Sequence, residues 1–202
     1  MARIKLTKTE LKAQTDALKR FQRFLPMLQL KKQQLQAEIA GISAKADAVT
    51  ERERAVRAGL DRWVGLFATN EDIVAGLVKV RGVRTGTANI AGVTIPTFES
   101  IDVETKEIDA WATPAWIDDA VAVAKDVMSL QCERAIYVEQ RRLVSEELHQ
   151  TSQRVNLFEK VKIPECKEAI RVIKIAIGDE QTAAVTRGKI AKGRTVGEED
   201  VA

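Results

Sequence analysis

A chain of 202 residues with 45% hydrophobic and 30% charged residues can bury a core, whereas 4% aromatics, 4 prolines and 11 glycines suit long helices better than many short strands. Its 32 basic and 29 acidic residues leave a net charge of +3, a mixed-charge total that gives little support for a nucleic-acid partner. Cys132 and Cys166 form no Cys-x-x-Cys pair or Cys/His cluster, and no apolar run reaches membrane-spanning length, so a reduced intracellular protein without zinc or direct membrane insertion is expected.

Thr7 followed by Glu10 predicts a helix start, a capping box in which each side chain serves a free backbone N–H. From Leu11 the apolar residues then step by three and four through Leu18, Phe21, Leu25, Leu28, Leu35, Ile39, Ile42, Ala46, Val49, Val56, Leu60, Trp63 and Phe67. Gln14, Lys32 and Glu53 alone interrupt this heptad seam, so a left-handed supercoil is predicted, with a kink at Pro26.

Between Gly76 and Ala112, β-branched residues alternate with polar ones in three stretches, Val78 to Arg81, Asn89 to Pro96 and Phe98 to Val103. They predict a small β-hairpin region. After Thr113 and Pro114 a second seam runs through Trp116, Ala120, Val123, Val127, Leu130, Tyr137, Val144, Leu148, Val155 and Phe158, with Arg134, Arg141 and Thr151 as polar interruptions. The register slips near Ile163-Pro164, where a kink is expected, and resumes at Cys166, Ile170, Ile173 and Ile177. Gly178, Gly188, Gly193 and Gly197 predict a frayed end.

The expected fold is mainly α: a long antiparallel two-helix coiled coil with a small β-hairpin insert between the helices. Its divisions fall at 1–69 for the first helix, 70–113 for the insert and 114–202 for the second helix and tail. Both termini would share one end, with the insert toward the other.

Catalytic patterns are weak. Gly188 to Thr195 approaches a phosphate-binding loop but has Arg194 where that pattern needs Lys, and no strand precedes it. His149 has no second ligand at metal spacing, and Asp118-Asp119 and Glu146-Glu147 read as solvated charge. Trp63, Trp111 and Trp116 read as packing residues. The charge distribution says more: Arg3, Lys5, Lys8, Lys12, Lys19, Arg20, Arg23, Lys31 and Lys32 face only Glu10 and Asp16, and Arg187, Lys189, Lys192 and Arg194 follow near the other terminus. If the termini share one end, that end is strongly positive and fits an acidic or polar protein socket, with a polyanion, a membrane surface or plain solvation as alternatives.

The run Thr151 to Glu159, with Arg154, Val155, Asn156 and Glu159, followed by Ile163 and Pro164, resembles the C-terminal helix signature of the D subunits of the V-type and A-type rotary ATPases. Thr9 to Leu11 and Leu28 to Leu35 are similar to that family's first helix, and Val93 to Pro96 falls where the family carries its hairpin. Pro26 and Gly178 stand where the family usually has good helix formers. The resemblance implies a non-catalytic rotor shaft with no cofactor, on the cytoplasmic face of a membrane complex. Its terminal end would enter the ring of A and B subunits, with the F subunit alongside and a membrane-side stalk subunit of the C/d type beyond the hairpin. Arg3, Lys5, Lys8, Lys12, Lys19, Arg20, Arg187, Lys189, Lys192 and Arg194 would then meet the ring, and Ile90, Val93, Ile95 and Phe98 would couple the hairpin to its partners. The competing expectations are a coiled-coil scaffold or adaptor dimerising between identical chains, and a helical enzyme or nucleic-acid binder.

Overall fold

The computed structural model describes residues 5–60, 77–106 and 116–199 together with Gly65 and Pro114, and side chains as far as Lys192. The first helix, α1 (Lys8–Leu60), begins where the capping pattern places it, with Thr7 Oγ1 accepting the Glu10 N–H at 3.3 Å. The reciprocal half of the box is replaced: the Glu10 carboxylate accepts from Gln14 Nε2 at 2.8 Å. Helical structure continues through Pro26, which lies on an exposed face. Trp63, Phe67, Trp111 and Thr113 lie outside the described residues.

Two antiparallel strands follow, β1 (Val78–Ile90) and β2 (Val93–Thr105). The stretch predicted as one segment, Asn89 to Pro96, is instead cut by the turn. Ala91 and Gly92 have φ of 50° and 87°, and Asn89 Oδ1 accepts the Gly92 N–H at 3.0 Å. Positive φ at both central residues gives a two-residue turn whose twist matches the strands, and Ala-Gly is an unusual sequence for it. Register shifts at Val80/Gly82 and Arg84/Thr85 interrupt the ladder, and the residues of β1 between them are exposed.

The second helical run comprises α2 (Ile117–Leu157), a π-helical turn at Phe158–Lys162 and α3 (Ile163–Glu199). The π turn accounts for the predicted register slip. The seam steps by five from Phe158 to Ile163, and the Ile163 N–H bonds to the Phe158 carbonyl, one residue wider than an α-turn. Pro164 has no N–H and its ring would crowd the preceding turn, so widening that turn lets the helix continue past Pro164, as the resumed seam predicts. Helical backbone also continues through Gly178 and Gly188 to Glu199.

The chain divides into two compact units, residues 31–150 and residues 1–30 with 151–202. In the first, α1 and α2 run antiparallel, as ion pairs from Lys31 to Glu147 (2.6 Å) and from Arg52 to Glu133 (3.1 Å) require. One core joins Leu35, Ile42 and Val144 to Ile95 of the hairpin, with Ile90 and Val93 against it. A second joins Val78 at the hairpin base to Ile117 and Val121. Strands of 13 residues reach about 40 Å. The helix from Val121 to Val144 covers about 35 Å, so the hairpin lies back along the helix pair rather than projecting from its end. Gln140 Nε2 donates to the Pro96 carbonyl at 2.5 Å and fixes the tip.

Two seam interruptions of this unit, Glu53 of α1 and Arg134 of α2, meet. Glu53 is 6% exposed and accepts from Gln131 Nε2 at 3.1 Å and from Arg57 at 2.8 Å, with Arg134 3.9 Å away. Those donors hold its carboxyl below the usual carboxylate range, the Gln131 hydrogen bond contributing most and Arg57 next. A polar layer thus crosses the apolar seam with its charge compensated.

In the second unit, the start of α1 runs antiparallel to α3. Phe21 and Phe158 pack with ring centroids 4.9 Å apart, while Leu6, Thr7 and Lys8 lie beside Ile177, Gln181 and Ala184. Val155, Cys166, Ala169 and Ile173 are buried here. Burial raises the Cys166 thiol pKa, which disfavours the reactive thiolate.

Candidate functional site: the terminal unit

The antiparallel packing brings the chain's two basic clusters to one unit. Lys5, Lys8 and Lys12 lie near the start of α1, and Arg187, Lys189 and Lys192 follow Ala184 on α3, all exposed. Lys19 and Arg20 lie farther along α1, beside the Phe21–Phe158 contact and about 16 Å of helix from Lys8. The positive surface is therefore a strip rather than a point. Arg3 lies outside the described residues, and the side chain of Arg194 does as well.

Among the described residues, no carboxylate lies within 4 Å of Lys5, Lys8, Lys12, Lys19, Arg20, Arg187 or Lys189. A shallow groove of about 400 Å³ beside Leu6 and Ile177 brings Glu180 near Lys8 without an ion pair between them. Exposed and unpaired cations keep their hydration until a partner supplies carboxylates, and each such contact is weak enough to exchange.

Exposed apolar side chains, which the seam pattern did not bring out, are concentrated in the same unit. Leu6, Phe24, Met27, Leu30, Leu157, Val161, Ile175, Val185 and Ile190 are exposed there, against Val83 and Val138 in the other unit. The available signal was their position off the three-four stepping.

The other predicted residues take structural places. Val155 of the signature is buried, while Arg154, Asn156 and Glu159 are exposed around the π turn and Ile163 and Pro164 close it. Ile95 is buried and Ile90, Val93 and Phe98 are half-buried in the other unit, turned toward the helices. Phe98 lines a cleft of about 270 Å³ with Gly41, Lys45 and Tyr137. The phosphate-loop candidate, Gly188 to Thr195, is helical, with its amides committed to the helix. Among the described residues, no three His, Cys, Asp or Glu side chains converge to hold a metal, and no helix is long and apolar enough to cross a membrane.

A sequence profile for the ATP synthase D subunit matches residues 10–193. The chain belongs to the ATP synthase D-subunit family. It is 43% identical over 196 residues to the V-type ATP synthase D subunit of Borreliella burgdorferi, covering 97% of this chain and 96% of that one. Similar proteins carrying the same description come from Chlamydia felis, 32% identical with 95% and 93% covered, and Chlamydia muridarum, 33% identical with 95% of each covered. As a member of this family the chain is a central-stalk component of a V-type ATP synthase, and its long helices with an interposed hairpin suit that place.

Proposed function

We propose that this chain is the non-catalytic rotor shaft of its complex, transmitting torque between ATP chemistry in a ring of A and B subunits and ion movement in the membrane. The terminal unit, with Lys5, Lys8, Lys12, Lys19, Arg20, Arg187, Lys189 and Lys192, enters the ring. The F subunit lies alongside, a membrane-side stalk subunit receives the other end, and the complex sits peripherally on the cytoplasmic face. The segments 1–69, 70–113 and 114–202 act as first shaft strand, coupling insert and second shaft strand, with Ile90, Val93, Ile95 and Phe98 as the insert's anchors.

The observation that carries this reading is the contrast in charge pairing. Lys31, Arg52, Arg57, Arg81 and Arg142 of the 31–150 unit pair with carboxylates of the same chain, and so do Lys162 and Arg171 of the terminal unit, close to the π turn. Among the described residues, Lys5, Lys8, Lys12, Lys19, Arg20, Arg187 and Lys189 of the terminal unit have none within ion-pair distance. A shaft that meets non-equivalent subunits in turn needs contacts that form and break readily, and solvated charge supplies them. The test is reconstitution with A, B and F subunits. Neutralising Lys5, Lys8, Lys12, Arg187, Lys189 and Lys192 together should weaken ring binding at low salt and matter little at high salt, where screening already removes these contacts. An unchanged salt dependence overturns the role given to the strip.

A further inference from the structure

On α1 the side chains of Phe24, Met27 and Leu30 are 48%, 61% and 56% exposed, at i, i+3 and i+6. At 100° per residue they span about 120° of the helix surface, the width of an amphipathic contact face. Arg20 and Arg23 fall within the same arc, and both are exposed. From Ala17 to Ala37 the sequence contains no Asp or Glu. Asp16, the preceding carboxylate, forms no ion pair with Arg20 or Arg23 within 4 Å. Pro26 adds a further feature: lacking an N–H, it leaves the Gln22 carbonyl without its helical donor next to this face.

Large apolar side chains grouped on one exposed arc mark an interaction surface. We infer that this arc docks an amphipathic helix of another subunit, one whose apolar stripe is flanked by carboxylates that meet Arg20 and Arg23. Charge complementarity selects that occupant. The two guanidiniums lie among the apolar residues, so a docked helix must bring acids to the same edge or bury cations unpaired. A protein helix is preferred over a lipid surface because the family places this chain in a multisubunit complex and the apolar arc is only about two turns long. The inference rests on the proposed shaft role and names the chemistry of one of its contacts.

The test places a photo-crosslinking amino acid at position 27 of the full chain, assembled with A, B and F subunits, and maps the product by mass spectrometry. A cross-link to an acidic amphipathic helix of one of those subunits is expected. The triple variant Phe24→Ser, Met27→Ser, Leu30→Ser should keep its helical circular dichroism and lose about tenfold or more of its affinity for that subunit. Arg20→Glu with Arg23→Glu should show a similar loss that high salt does not restore. If the unmodified chain fails to bring down A and B, the shaft reading itself falls. If assembly is normal but the probe labels nothing, labels a second copy of this chain, or is protected by anionic phospholipid vesicles instead of protein, the docking face alone is overturned.

Discussion

The unit formed by residues 31–150 and the unit formed by residues 1–30 with 151–202 share two helices, α1 and α2, yet they finish their surfaces differently. In the first, Leu35, Ile42, Val49 and Val144 are buried, a hairpin covers part of the helix pair, and Arg52, Arg57 and Lys31 each hold a carboxylate. In the terminal unit Phe24, Met27, Leu30 and Ile175 are exposed, while Lys5, Lys8 and Lys12 meet no carboxylate among the described residues. The terminal unit has ion pairs of its own at Lys162 and Arg171, so the contrast lies in the exposed apolar residues and in the basic stretches near the two termini. The difference matches the division of labour expected in a stalk: a part that must stay folded under load, and a part that other subunits must grip.

The largest effect should come from a core truncation in the self-sufficient unit. Leu35 is fully buried in the cluster that receives the hairpin tip. Leu35→Ala should cost about 3 kcal/mol, whereas Met27→Ala should stay within about 0.5 kcal/mol of the unmodified chain. Urea unfolding followed by circular dichroism measures both, and equal losses would break the comparison.

Glu53 should give the next effect. Its carboxyl is held below the usual range in the folded state, so the ionised form favours folding. That contribution is complete above the unfolded carboxylate pKa and is lost as pH falls through the lowered folded value. Glu53→Gln should therefore lower the thermal midpoint by about 3–6 °C near neutrality, and the gap should narrow in acid. A constant gap down to about pH 3 would remove ionisation from the account. Glu53 also marks a limit of local sequence pattern. Its break in the first seam and Arg134 in the second were both visible, but that they fall at the same level depends on how the helices align, which local periodicity does not encode.

The rest of the fold divides in the same way between local and long-range signals. Heptad stepping identified the helices, and the five-residue step from Phe158 to Ile163 marked the π turn as a slip in register. Alternation identified β-structure but not the turn, because Ala91-Gly92 lacks the Asn-Gly or Asp-Gly signal. That the tip packs on Leu35 and Val144 is a long-range fact carried by shape and by the Gln140 hydrogen bond. The basic strip was readable from the placement of charges along the chain, whereas the exposed arc at Phe24 showed only as apolar residues off the three-four stepping, which in a helix are ordinarily read as core. Ala91 offers a smaller test. An alanine at φ of 50° is strained, so Ala91→Asn should stabilise the hairpin by about 0.5–1 kcal/mol, seen as slower amide exchange across Thr87 to Thr97. Faster exchange would mean that packing of the Ala91 methyl against the helices outweighs the strain.

The smallest stability effect, and the sharpest form of the comparison, concerns the terminal lysines. Lys8, Lys12 and Lys189 are exposed and, among the described residues, have no carboxylate within ion-pair distance. Replacing all three with Gln removes no ion pair of the described residues and relieves some repulsion among like charges. The folding free energy should change by no more than about 0.5 kcal/mol, in the stabilising direction at low salt. The equivalent change in the other unit, Glu147→Gln, removes the partner of Lys31 at 2.6 Å and should be destabilising instead, by a similar small amount because that pair is partly solvated. Opposite signs at low salt, converging toward zero as screening increases, would show that one unit uses its charges to hold itself while the terminal unit holds them for another molecule. If the lysine variant is destabilised to the same degree as Glu147→Gln, the terminal cations contribute to folding in a way the ion-pair geometry does not capture, and the division between the two units fails at its electrostatic half.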